Sequence, residues 1–449
     1  MPNRKYIFIF ILLILSNFIY AQNPEPGSLQ GLREQNEQQT KKQNQEHFQR
    51  NGVEQPQAYN PNQSFTQKQS KRDAEFNKLL TELKQETTLP VNQKHPLEDK
   101  LKMLDTNTLV YKQKGTLYHA SYWHIVYMLQ GKDNFDLKKA VWVSEYPAHQ
   151  KVSYPQFCAW VQDALSMVKY ILLTEKLDVQ NADHLHYALR KLYTDTLRMY
   201  NPKTKKVITY YPFTYDFNDP MAEANTYNYS VSKLLQTHKG QCHSMPLLYL
   251  ILAQELKIDA YLSYTPLHSF IQYYDKAGYL QNFETTNGHL ATRDYYMASG
   301  FIKVEAIRNG IYLKTIVPQK VLATLLIDLA NYYQKEMGYS DFLTTCVSQC
   351  ITYFPNYVNA QLLYENTYTA LALNVAKKYN YPPKEEAYKY PDLKEALETL
   401  AFIQHNTDES GYEAIAPETY QEWVNPKKKS KTEEKRKKMQ DTRQKIQDI

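Results

Sequence analysis

Cysteine is scarce in this chain. Four cysteines in 449 residues are too few for a disulfide framework in a protein of this length. Long apolar runs are nearly absent too: beyond residues 6–18, no stretch is long and apolar enough to cross a bilayer. Charge of one sign is missing as well. Fifty-three basic residues stand against 47 acidic ones, a net charge of +6. The lysine-rich end, residues 427–449, is interspersed with Glu and Asp. It reads as a solvated tail and gives no reason to expect nucleic-acid binding. Paired metal ligands are lacking: Cys242, His243, His268 and His289 have neither C-x-x-C nor H-x-x-x-H spacing. No metal and no other cofactor is therefore expected.

What is present divides the chain into segments. In residues 1–21, Arg4 and Lys5 precede the apolar run and Ala21 offers a small residue for cleavage. This reads as a secretory signal and predicts a periplasmic or secreted protein, with an uncleaved anchor as the alternative. After cleavage no stable membrane span is expected, and no cysteine follows that could carry a lipid. Residues 22–73, rich in Gln, Asn and Pro, read as a disordered linker that cannot bury enough surface to offset ordering entropy.

Residues 74–200 read as helical. Phe76, Leu79, Leu80 and Leu83 share one face, and helical character is expected at 101–109, 118–129, 154–177 and 182–200. Residues 137–145 suit either helix or strand, and Trp142 and Glu145 read as structural. Residues 201–316 form the expected core. In residues 317–425, helices are expected at 321–337, 342–354, 358–379 and 393–404. Their spacing is reminiscent of helix-pair repeats without a sustained period; such helices dock a protein partner or cap a core. Cys346 and Cys350, one turn apart, are either buried thiols or a disulfide. Residues 426–449 are the charged tail.

Residues 240–289 organise the rest. Met245, Leu248, Leu252 and Leu256 recur at helical spacing, with Pro246 in the first turn. Cys242 then sits at a helix start, where unpaired amides favour a thiolate. Gly240 allows a close backbone approach. Strands are expected at 260–265 and 269–274, joined irregularly by Pro266-Leu267, followed by a hairpin loop with Gly278 in the left-handed position. If Asp275 pairs with Tyr279, His268 and Glu284 fall on one face as diagonal neighbours. A loop one residue longer puts them on opposite faces. Residues 207–229, dense in Tyr, Asn and Asp, suit a cleft wall or a packed irregular loop.

The ordered set G-x-C-x-S at residues 240–244, an apolar helix ending in L-K-I-D-A, P-x-H at 266–268 and N-F-E-T-T at 282–286 resembles the transglutaminase-like superfamily, related in fold to papain-type cysteine peptidases. The resemblance covers residues 240–289. It implies an α+β fold in which the cysteine-bearing helix packs on a small antiparallel sheet, flanked here by helical regions. Carried over by position, it implies Cys242 as nucleophile, His268 as base and Glu284 as the orienting acid. The family's usual third member is Asp, in a D-x-T context, and many relatives carry an aromatic where Ser269 stands.

The implied chemistry is acyl transfer on an amide or peptide bond of a peptide or protein substrate, with hydrolysis favoured over cross-linking because an acceptor amine must outcompete water. Gln236 and Gln241 are rival candidates for an oxyanion donor alongside the Cys242 backbone N–H. The alternative function is a catalytically silent scaffold that binds a peptide or protein partner.

Overall fold

The computed structural model describes residues 61–86, 101, 103–104, 111–201, 205–299 and 302–414. The expected signal segment, the linker before Pro61 and the charged tail lie outside the described residues. Of the unit Met1–Arg72, only the first part of α1 is described, and residues Asp73–Ile449 form one compact unit. Helices and small sheets alternate along the chain.

Helix α1 (Pro61–Glu86) starts inside the segment expected to be disordered. Beyond Pro61 it holds neither Pro nor Gly and is rich in Gln, Lys and Glu. These are good helix formers, so local propensity carries a helix through a polar stretch. Met103, expected within a helix, instead makes a β-bridge to Tyr339, and the Leu104 N–H donates to the Tyr339 carbonyl at 2.7 Å. A long-range pairing overrides the local apolar spacing there, and residues 105–109 lie outside the described residues.

Four helices follow: α2 (Thr116–Leu129), α3 (Leu137–His149), α4 (Tyr154–Thr174) and α5 (Ala182–Thr194). The Asp136 side chain caps α3, which settles residues 137–149 as helix, and Ser153 caps α4. Helix α5 ends at Thr194, short of the expected residue 200. Beyond it, Leu197 and Met199 turn inward while Arg198 and Tyr200 are exposed. That period-2 pattern forms β1 (Leu197–Asn201), paired antiparallel with β2 (Lys206–Tyr210).

Strand β3 (Thr214–Tyr215) runs parallel to β4 (Lys239–Gly240), with α6 (Val231–Thr237) between them in sequence. Helix α7 (Ser244–Leu256) is buried without interruption from Ser244 to Ala253. A helix apolar on every side belongs in the interior. It packs against a four-stranded antiparallel sheet of β5 (Tyr261–Thr265), β6 (His268–Tyr274), β7 (Leu280–Glu284) and β8 (His289–Ala291), in that order. The short helices α8 (Arg293–Ser299) and α9 (Val304–Arg308) lead to α10 (Pro318–Met337), α11 (Asp341–Tyr353), α12 (Val358–Lys377), α13 (Lys384–Ala387) and α14 (Pro391–Glu409).

The boundary expected near residue 316 is not a break in packing. Ile125, Val141, Leu248, Phe283, Leu326 and Val347 belong to one hydrophobic core. Helix α10 is part of the body that holds α7 and the sheet. Leu80 and Leu83 of α1 close a second cluster with Leu373 and Leu397. Cys346 and Cys350 are free, buried thiols, and burial pushes both up, so they stay protonated. Among the described residues no helix is long and apolar enough to cross a membrane.

Glu145 proves to be a buried cap. Its carboxylate accepts the Val231 N–H at 2.6 Å, the Ser232 N–H at 3.1 Å and the Ser232 hydroxyl at 2.7 Å, satisfying the open first turn of α6. Burial pushes this carboxyl from 4.5 up to about 7, against the pull of those hydrogen bonds. A carboxyl whose folded value is raised binds protons more tightly in the folded state. Its contribution to stability therefore declines as pH rises from 4.5 to about 7. Glu145→Gln is expected to remove that decline, read as the wild-type-minus-variant difference in urea unfolding across the same pH range. A difference that stays constant with pH contradicts the assignment.

Candidate active site

The backbone reaches the cysteine through β4. Gly240 pairs with Tyr215, and the Asp216 N–H donates to the Gly240 carbonyl at 2.8 Å. A Cβ on Gly240 would stand 2.8 Å from both Leu234 Cδ1 and Ser244 Oγ. The close approach foreseen for this glycine is thus a steric requirement. Gly240→Ala is expected to destabilise the fold by about 1–3 kcal/mol through overpacking. A chemical-denaturation midpoint identical to wild type contradicts this.

The next residues start the central helix. The Met245 N–H donates to the Gln241 carbonyl at 3.0 Å, and the Gln241 N–H donates to Ser244 Oγ at 3.0 Å. Cys242 stands in the turn that opens α7, as its sequence context indicates. Ser269 donates its hydroxyl to the Cys242 carbonyl at 2.5 Å. That bond ties the cysteine turn directly to the strand that carries His268.

The hairpin register follows the three-residue-loop alternative. Tyr274 lies opposite Leu280 and Ile271 opposite Phe283, while the Asp275 N–H donates to the Tyr279 carbonyl at 3.0 Å. Gly278 takes a φ of 84°, a left-handed value that glycine adopts without steric cost. His268 and Glu284 consequently share one face of the sheet. His268 Nε2 lies 2.8 Å and 3.0 Å from the two Glu284 carboxylate oxygens, and both side chains are buried. Glu284 also accepts the Tyr296 hydroxyl at 2.6 Å and the Thr286 hydroxyl at 3.1 Å. Tyr296, from α8, is held by stacking on Phe270 at 4.0 Å. The extra methylene of Glu relative to Asp is accommodated within this set of three donors.

The electrostatics follow from these contacts. Burial by itself pulls the His268 imidazole down. The Glu284 charge and side-chain hydrogen bonds with Cys242 and Glu284 outweigh it and raise His268 above its ordinary 6.5. Burial likewise pushes Glu284 up, but the His268 charge and the hydrogen bonds from His268, Tyr296 and Thr286 hold it below its ordinary 4.5. An imidazolium held by a buried carboxylate is the resulting arrangement.

Leu267 joins the cysteine to the histidine strand. In the two-residue link Pro266-Leu267 it adopts a φ of 56°, a position that normally takes Gly and costs a branched residue about 1–2 kcal/mol. Its carbonyl accepts from Cys242 Sγ at 3.7 Å. Cys242, Leu267 and His268 open onto a cavity of about 330 Å³. Tyr229 and Met221 of the segment foreseen as a cleft wall line it, together with Tyr264 and Tyr357.

Neither glutamine foreseen as an oxyanion donor is brought into that role. Gln236 is exposed, accepts the Tyr227 hydroxyl at 3.0 Å and borders a different depression. Gln241 is fully buried, and its amide Nε2 donates to the Asp216 and Asp219 carbonyls at 3.1 Å and 3.0 Å. It anchors the cleft-wall loop instead.

Sequence reasoning missed the roles of three residues. His243, considered only as a metal ligand, places Nε2 3.0 Å from Asp328 Oδ2 of α10 and stacks on Tyr229 at 4.0 Å. Tyr229 is a phenol kept well above its ordinary range by burial and by the Asp328 charge. It is therefore a hydrogen-bond donor on the cavity wall. The third is Tyr296, whose hydroxyl fixes Glu284. A histidine beside a candidate nucleophile and a Tyr-rich approach were visible in the sequence; their partners were not. Compared with family models, curated proteins and solved structures, the chain matches none.

Proposed function

We propose that the cavity at Cys242 is the active site of an exported, thiol-dependent enzyme acting on an amide or peptide bond, built on a papain-like core of the transglutaminase-like type. The observation that carries the reading is the buried His268–Glu284 pair set beside a cysteine at a helix start and open to a cavity. In this reading the Cys242 thiolate attacks the amide carbonyl and forms a tetrahedral intermediate. The His268 imidazolium gives its Nδ1 proton to the leaving amine, while Glu284 holds the ring through Nε2. Water, deprotonated by the now neutral His268, then cleaves the thioester and releases a carboxylic acid. Hydrolysis is preferred to cross-linking because it needs no amine acceptor. With both glutamines otherwise engaged, oxyanion stabilisation falls to the Cys242 backbone N–H and the Tyr229 phenol.

A scaffold that binds a peptide without cleaving it is favoured by one observation, the engagement of Gln236 and Gln241 elsewhere. Alkylation separates the two readings. Iodoacetamide on the folded protein, followed by peptide mass spectrometry, is expected to modify Cys242 well ahead of Cys346 and Cys350. A Cys242 that stays unmodified in the folded protein favours the scaffold.

A further inference from the structure

The C-terminal helices do more than cap the core, because α10 and α12 form one wall of the cavity. Asp328, paired with His243 next to the nucleophile, begins a helical stripe that continues through Asn331 and Tyr332 to Lys335. Lys335 lies seven residues beyond Asp328, so its Cα is about 10 Å further along the helix axis. It is exposed, lines the cavity and makes no ion pair among the described residues. Its acidic neighbour Glu336 is committed elsewhere, accepting from Lys114 at 3.2 Å and from the Tyr118 hydroxyl at 2.8 Å. Among the described residues lining the cavity there is no Asp or Glu, and the other titratable nitrogens are those of His243 and His268. Amides from Gln334 on the same helix and Asn359 on α12 also line the cavity. Tyr229, stacked on His243, lines the cavity beside the cysteine turn.

We infer that the site takes an acidic peptide, with a carboxylate-bearing residue seated against Lys335 and an apolar or aromatic residue beside the tyrosines. This rests on the reading of Cys242 as the reacting centre. An extended chain advances about 3.3 Å per residue, so the roughly 10 Å along the helix from Asp328 to Lys335 matches about three residues of peptide. The tyrosines bury an apolar side chain at the attacked amide, and the lysine selects what lies at the far end. A cavity wall without carboxylates disfavours a basic peptide, which would find no partner for its charge.

The test uses a set of capped Ala-rich hexapeptides that contain one Tyr and a single Glu walked through the other positions, each with a Gln counterpart. Binding to the full chain carrying Cys242→Ser is measured by isothermal titration calorimetry. At least one Glu position is expected to bind about fivefold tighter than its Gln partner, the scale of one partly exposed ion pair. That advantage is expected to vanish in the Cys242→Ser, Lys335→Ala double variant and to shrink as salt is raised. No Glu preference at any position overturns the proposal. So does a preference that survives removal of Lys335. Iodoacetamide treatment of the wild-type protein runs alongside. An unreactive Cys242 defeats the nucleophile reading, while the peptide data still decide the acidic preference.

Discussion

Cys242→Ala is expected to reduce amide turnover by about 10³-fold or more, leaving only what positioning of the substrate supplies. The measurement is product release from labelled casein and from cell-wall peptides, with incorporation of an amine donor followed in parallel. His268→Ala is expected to fall to a similar level, since the thiolate and the proton donor act as one unit. The Cys242→Ala, His268→Ala double variant should then be no worse than either single change. Glu284→Gln keeps the shape but removes the charge that holds His268 as an imidazolium. Its loss is expected at about 10²–10⁴-fold, by analogy with removing the orienting acid from other triads. Iodoacetamide supplies a readout independent of substrate: alkylation of Cys242 should slow in both the His268 and the Glu284 variants. Alkylation equally fast in all three proteins would falsify the assignment of His268 as the activating group.

Glu284→Ala is expected to cost about 3–5 kcal/mol of stability, because it strands a buried imidazolium and leaves the Tyr296 hydroxyl without its acceptor. The pH dependence of this pair has a definite sign. Glu284 is held below its unfolded value of 4.5, so its stabilisation is present above that pH and is lost as pH falls through the folded value. His268 is held above its unfolded value of 6.5. Its stabilisation is complete below 6.5 and is lost as pH rises through the higher folded value. The pair therefore contributes most between 4.5 and 6.5 and fades on both sides. Urea unfolding of wild type and Glu284→Gln over a pH series reads this directly. The difference between them should be largest inside that window and should narrow in acid and in strong base. A difference that grows steadily with pH contradicts the ion pair.

Other features gain a physical reason from these contacts. The Ser269 hydroxyl, donated to the Cys242 carbonyl, ties the cysteine turn to the strand that carries His268. The Tyr296 and Thr286 hydroxyls hold the Glu284 carboxylate against His268. The left-handed Leu267 brings a strained carbonyl to the thiol and a side chain to the cavity. Strain of this sort concentrates where a site needs one geometry and the surrounding fold can enforce it.

The sequence by itself determined the features around the cysteine that depend on near neighbours along the chain. Leucine spacing after Pro246 placed the cysteine at a helix start, and the segment after Tyr274 was narrowed to two hairpin registers, of which the one pairing Asp275 with Tyr279 puts His268 and Glu284 on one face. Such information is legible because helical and strand periods turn short separations into directions in space. Tertiary structure alone decided the rest: the pairing of His243 with Asp328, the hydroxyl of Tyr296 on Glu284, the removal of both glutamines from the thiol, and the use of α10 and α12 as a cavity wall. Each of these depends on how separate elements pack in three dimensions, which neither helical nor strand periodicity encodes. An aspartate on an apolar helix or a tyrosine in a Tyr-rich chain looks the same whether it faces water or the site.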